Sequence, residues 1–251
     1  VILASENGGS AIKILIDGGK DKTVLNALDD ALGYLNNKYL DLVILTHTDL
    51  DHMGGLIEVA RRYDIGMFIS NGRAGTSEAY DTLKETLARR GIPAVVLLEG
   101  DGIRYGGNSF TVLSPDRTLV ESKEVNEVGL VVMLTVNSPA GATNALFAAD
   151  IGFPTENMLL EKKYALAADI LKVGHHGSKY SSGENFIAAV RPIVSVIGVG
   201  KNGYGHPTAR VLETLALVGS RVYRTDESGT IKIPLGAEDA FARTRAPRTG
   251  A

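Results

Sequence analysis

From residue 170 onward, short apolar runs alternate with stretches of helical periodicity, and that alternation limits the fold more than any other feature of the chain. Strands are predicted at 170–173, 193–197, 221–223 and 230–233, with helices at 184–190 and 208–218 among them. The upstream part is richer in strands. They are predicted at 1–5 and 11–16, joined by a turn at Glu6-Asn7-Gly8-Gly9, then at 42–45, 65–69, 94–98, 103–105, 110–113, 129–136 and 144–149. Helices are predicted at 56–63 and 77–90, and Asp21 is placed as the N-cap of a helix carrying Val24, Leu25, Leu28, Ala31, Leu32 and Leu35. A strand-rich part followed by a strand–helix–strand–helix–strand part predicts a layered α/β sandwich.

No Gly/Pro/Ser-rich linker or charge block divides the 251 residues. One domain is therefore expected over 1–236, with a tail at 237–251, rich in Arg, Ala and Thr, that frays. No run of about 18 apolar residues is present, so nothing in the sequence reads as a membrane span. The absence of cysteine excludes disulfides, Cys-ligated zinc and a thiol nucleophile. A net charge of −3 gives no bulk attraction to nucleic acid, although a local basic lip would escape that sum.

The chain has five histidines, His47, His52, His175, His176 and His206, each placed just past a predicted strand in a segment rich in Gly or Asp. The densest segment is Leu45-Thr46-His47-Thr48-Asp49-Leu50-Asp51-His52-Met53-Gly54-Gly55. A tight loop there can turn His47 and Asp49 toward one point and Asp51 and His52 toward a neighbouring one. Imidazole nitrogen with carboxylate oxygen suits zinc, manganese or ferrous iron. The plain alternative is an acidic helix-capping turn with incidental histidines. Asp150 follows the apolar run 145–149, and a carboxylate buried at a strand end needs a partner charge or a metal, unless it merely caps the helix at Pro154.

These residues resemble the metallo-β-lactamase superfamily: the block matches its His-x-His-x-Asp-His signature with Asp49 in place of the second His. That variant, followed by Gly-Gly, is similar to the soluble β-lactamase-like domain of the ComEC DNA-uptake family. The resemblance extends to Leu15-Ile16-Asp17-Gly18-Gly19, to Ala148-Ala149-Asp150, to the segment from Leu171 to Ser178, and to Val199-Gly200-Lys201-Asn202-Gly203-Tyr204-Gly205-His206-Pro207. It implies a four-layer αββα sandwich with two divalent metal ions, zinc or manganese, held by His47, Asp49, Asp51, His52, Asp150 and His176. Asp150 would bridge the two ions, and Asp17 would orient a ligand from behind it. Two departures stand out. No His lies between Met53 and Ile170, so the ion near His47 is expected to bind weakly, and the Asp-Val-Gly-x-Gly-Asp strand that opens such domains is expected upstream of Val1.

His175 is expected to face away from His176 on an extended backbone and to support the site or substrate. Ser178, Lys179 and Lys201 are candidate phosphate contacts. His206 reads either as a proton donor or as a structural residue at a helix start. The implied chemistry is phosphodiester hydrolysis by a hydroxide shared between the ions, with Asp51 accepting the water's proton and His206 or His175 protonating the leaving oxygen. The resemblance implies DNA, single strands included, as substrate. The alternatives are a small-molecule phosphodiesterase, similar to phosphorylcholine esterases, and a non-catalytic metal- or DNA-binding module. Location follows from what precedes Val1: cytoplasmic for a free-standing protein, outward-facing for a piece of an uptake channel.

Overall fold

The computed structural model describes residues 2–4, 12–33, 38–138, 141–234 and 243–245. They fall into two compact units: residues 1–98 with 115–130, and residues 99–114 with 131–251. The predicted turn at 6–9 and the helical position of Leu35 lie outside the described residues.

The first unit runs β1 (Ile2–Ala4), β2 (Ile12–Ile16), α1 (Val24–Leu32), β3 (Tyr39–Ile44), α2 (Leu50–Arg62), β4 (Asp64–Ser70), α3 (Glu78–Arg90) and β5 (Ala94–Val96). The strands form a sheet in that order, antiparallel between β1 and β2 and parallel thereafter. Each parallel neighbour is thus reached through a helix, as parallel pairing demands. In α2, Met53, Leu56, Val59 and Ala60 recur at three- and four-residue spacing and are all buried, packed in one core with Leu28, Leu40, Tyr63 and Leu83. Ser77 caps α3 through its hydroxyl, which accepts from Tyr80 N at 3.2 Å, and Gly91 ends it in the left-handed conformation at φ 62°.

The second unit runs β6 (Gly102–Tyr105), β7 (Asn108–Ser114), β8 (Val131–Ser138), β9 (Gly141–Phe147), α4 (Phe153–Glu161), β10 (Ile170–Lys172), α5 (Glu184–Val190), β11 (Val194–Ile197), α6 (Ala209–Leu217), β12 (Arg221–Arg224), α7 (Thr225–Ser228), β13 (Thr230–Lys232) and β14 (Arg243–Arg245). Its seven-stranded sheet has the order β12-β11-β10-β9-β8-β7-β6. Strands β6 to β9 are antiparallel and β9 to β12 parallel. A core of Leu146, Ile151, Leu159, Leu171, Phe186, Ile187, Val211 and Leu215 belongs to this unit. Among the described residues no helix is long and apolar enough to cross a membrane.

Three expectations change. Helix α2 starts at Leu50, ahead of Gly54-Gly55 instead of after it, because the two glycines let the helix lie against the backbone of residues 18–21. Thr23, not Asp21, is the N-cap of α1, and the Asp21 carboxylate accepts from Thr23 N at 2.9 Å in the turn before the helix. Of the tail expected to fray, the described residues, Arg243–Arg245, form β14, which pairs antiparallel with β13.

Candidate functional site

The first unit presents His47 three residues beyond the end of β3 and His52 in the first turn of α2, so His52 sits in a helix and not in the loop that its spacing suggested. Both are buried, with ring centroids 4.0 Å apart. One carboxylate organises them. Asp17 takes the left-handed conformation at φ 55°, which Asp tolerates better than most residues, and its two oxygens accept from Thr46 N and Thr46 Oγ1, both at 2.8 Å. Asp17 Oδ2 also lies 2.8 Å from His52 Nδ1.

The proton positions follow from donor and acceptor chemistry. A carboxylate oxygen only accepts, so the Thr46 hydroxyl donates to Asp17 and His52 Nδ1 carries its proton toward the same oxygen. The hydroxyl's lone pair then accepts from His47 Nδ1, 2.9 Å away. Both imidazoles are thereby set with the proton on Nδ1 and the lone pair on Nε2. That is the ligating form, held from behind by a carboxylate as ligating histidines usually are. Thr46 is the residue that sequence reasoning missed; its place beside His47 was the available signal.

Asp49 stands at the N-cap of α2 without capping through its side chain, and its Oδ2 lies 3.9 Å from His47 Nε2. Asp51 is exposed in the first turn. The capping turn that was the plain alternative therefore does not account for Asp49.

In the second unit, Asp150 is buried three residues beyond the end of β9, and the helix that follows is capped by Gly152 and not by Asp150. His176 Nδ1 lies 2.6 Å from the Gly198 carbonyl, which can only accept, so this ring too keeps its lone pair on Nε2 when neutral. That atom is 3.2 Å from Asp150 Oδ2. Two acceptors at this distance are favourable only with positive charge between or on them, from a proton or a cation. Donors sharing one tetrahedral ion at bonds of about 2.1 Å lie roughly 3.4 Å apart, so the pair fits a metal. His47, Asp51, His52, Asp150 and His176 each offer a donor atom suited to such an ion.

The expected extended backbone at His175-His176 is not found. Both residues are left-handed, at φ 47° and 54°, inside a short 3-10 turn spanning Gly174–Gly177. The rings nonetheless diverge, meeting at 75°, and His175 turns edge-on to His206, 5.8 Å away at 78°. Ala149 is left-handed as well, and its carbonyl accepts from His175 N at 3.2 Å, which ties the two turns together. Such backbone strain is held where a site demands it. Burial, and then the neighbouring His175 and His176, push the His206 imidazole below its ordinary pKa, with Asp150 opposing them.

Ser178 is buried, its hydroxyl accepting from Tyr180 N, whereas Lys179 lies exposed over the Tyr180 ring and Lys201 is exposed. The segment after His176 is clamped from two sides. Glu156 accepts from Ser182 N and from Gly183 N, and Arg210 donates to the carbonyls of Ser178, Ser181 and Ser182. Glu156 is 2% exposed, so Glu156→Ala strands two amides away from water at about 1–3 kcal/mol each. Urea denaturation should show a loss of about 3 kcal/mol, with a smaller loss for Glu156→Gln; a change within about 0.5 kcal/mol would remove the clamp from the account.

Comparison with known proteins decides the family. Residues 7–120 match the model of the metallo-beta-lactamase superfamily. Over that stretch the chain carries a metallo-β-lactamase superfamily domain. The chain is 32% identical over 196 residues to ComE operon protein 3 of Bacillus subtilis (strain 168), covering 78% of this chain and 24% of that protein. It is 29% identical over 225 residues to competence protein ComA of Neisseria gonorrhoeae, covering 89% of this chain and 29% of that protein. The chain thus spans about a quarter of the length of these relatives. Zinc-bound PqqB from Methylobacterium extorquens shares the fold of the metallo-β-lactamase domain at a TM-score of 0.55 and 13% identity, over 88% of this chain and 84% of that one.

Proposed function

We propose that this metallo-β-lactamase domain is a metal-dependent phosphodiesterase acting on nucleic acid. The observation that carries the reading is the Asp17–Thr46 arrangement, which sets His47 and His52 as Nε2 donors next to the carboxylates of Asp49 and Asp51. The donors proposed for two divalent ions, zinc or manganese, are His47, Asp49, Asp51, His52, Asp150 and His176. Divalent ions so held supply Lewis acidity toward a phosphoryl oxygen and lower the pKa of water.

The other steps belong to side chains. Asp51, exposed at the start of α2, accepts the proton of the attacking water. Lys179 and Lys201 offset charge developing on the phosphoryl oxygens, and His206 or His175 hydrogen-bonds the leaving oxygen. A relative named as a competence protein favours DNA as the substrate. The net charge of −3 favours the second reading, a hydrolase of small phosphodiesters.

Metal-depleted protein should cleave bis-p-nitrophenyl phosphate or single-stranded DNA only after manganese or zinc is restored. Asp150→Ala should lower the rate about a hundredfold or more, equivalent to about 2.7 kcal/mol in the barrier. The relative rates rank DNA against the small ester. Cleavage of neither substrate by protein shown to hold metal would sink the reading and leave a binding module.

A further inference from the structure

We propose that Tyr204 is a base-stacking platform, on whose exposed face a nucleobase of single-stranded nucleic acid lies above a file of rings leading to His176. The inference rests on the phosphodiesterase reading for its substrate class and adds to it the residue that distinguishes a nucleic acid from a small ester.

The file belongs wholly to the second unit. Tyr204 is 84% exposed and stacks on His206 at 5.7 Å and 30°. His206 meets His175 edge-on at 5.8 Å, and His175 meets His176 at 6.4 Å. His176 in turn faces the buried Asp150 carboxylate at 3.2 Å. Exposure falls along this path from the open ring of Tyr204 to the partly buried His206 and His175, and finally to Asp150.

The loop that carries Tyr204 is ordered around a ring that buries little. Asn202 makes four hydrogen bonds within it: Oδ1 accepts from Tyr204 N and His206 N at 3.0 and 3.1 Å, and Nδ2 donates to the carbonyls of Gly200 and His206, both at 2.9 Å. Gly203 and Gly205 flank the tyrosine and bring no side chain to it. Fixing a loop costs conformational entropy, and an aromatic ring left in water returns none of it through folding. A rigid, exposed aromatic is instead what a stacking partner needs, since every base offers a π-face. Residues 198–209 contain Lys201 and no carboxylate, so the local charge suits a phosphate backbone despite the net −3.

The test is a titration of metal-loaded protein with a phosphorothioate-linked oligothymidylate and with an abasic oligomer of equal length and linkage, neither needing turnover to be read. Tyr204→Ala is expected to weaken the oligothymidylate between about fivefold and a hundredfold, to leave the abasic oligomer unchanged, and to keep the wild-type melting temperature. Tyr204→Phe should bind the oligothymidylate as wild type does. Equal weakening of both oligomers, no weakening of either, or no binding of either by the wild type overturns the stacking role. Hydrolysis of bis-p-nitrophenyl phosphate, followed separately, reports on the phosphodiesterase reading alone, so the two failures cannot be confused.

Discussion

Gly55→Ala is expected to destabilise the first unit by about 3 kcal/mol, the upper range for overpacking, although the same change on an exposed helix face stabilises by about 0.5–1 kcal/mol. The reversal of sign comes from backbone. A Cβ at Gly55 would stand 2.1 Å from the Gly18 carbonyl oxygen and 2.5 Å from that of Asp21, and one at Gly54 would stand 2.0 Å from Lys20 O. These atoms are not flexible side-chain ends that can swing aside. They belong to the segment that α2 is bonded to, through Gly18 N to His52 O at 2.7 Å and Gly55 N to Gly19 O at 2.9 Å. Relief therefore requires moving α2 away from Asp17, which would also pull His52 off its carboxylate. Urea unfolding checks this: with a slope of about 1–3 kcal/mol/M, the midpoint should fall by at least 1 M. A midpoint equal to or above wild type would show that the helix does not approach this closely.

Asp17→Asn should lower metal affinity by about 10–100-fold while leaving every proposed ligand in place. The amide can present a donor where the carboxylate only accepted, so it no longer forces His52 to keep its proton on Nδ1 or Thr46 to donate. Thr46 supplies the control. Thr46→Val removes the acceptor from Nδ1 of His47, which is 1% exposed, and should cost about tenfold, whereas Thr46→Ser keeps the hydroxyl and should stay within about twofold. Affinity is read by competition with a chelator, and the ring tautomers by nitrogen chemical shifts of the metal-free protein. Asp17→Asn with wild-type affinity and unchanged His52 shifts would refute the relay. Loss in Thr46→Ser equal to that in Thr46→Val would reduce Thr46 to packing.

The parts legible in the sequence were those whose cause is local. Apolar periodicity placed α3, α5 and α6 within a residue or two and identified most of the strands, because burying one face is decided by spacing along the chain. The crowded block from His47 to His52 declared itself as a set of donors, since four such groups in six residues have no packing purpose. The start of α2 was not legible. Glycine is a poor helix former, and only contact with residues 18–21, some thirty positions upstream, makes two glycines the right residues inside that helix.

By itself, then, the sequence determined the α/β alternation and the inventory of donors, because residue type and local spacing decide both. Tertiary structure decided what those donors can do. Asp17, Thr46 and His52 meet only after β2, β3 and α2 have packed, and the proton positions on His47 and His52 are consequences of that meeting. Likewise the Gly198 carbonyl, supplied just after β11, sets the His176 ring, and left-handed backbone at His175 and His176 turns one ring toward His206 and the other toward Asp150. Hydrogen-bond direction depends on partners remote in the chain, so it becomes readable only once the strands that carry those partners lie side by side.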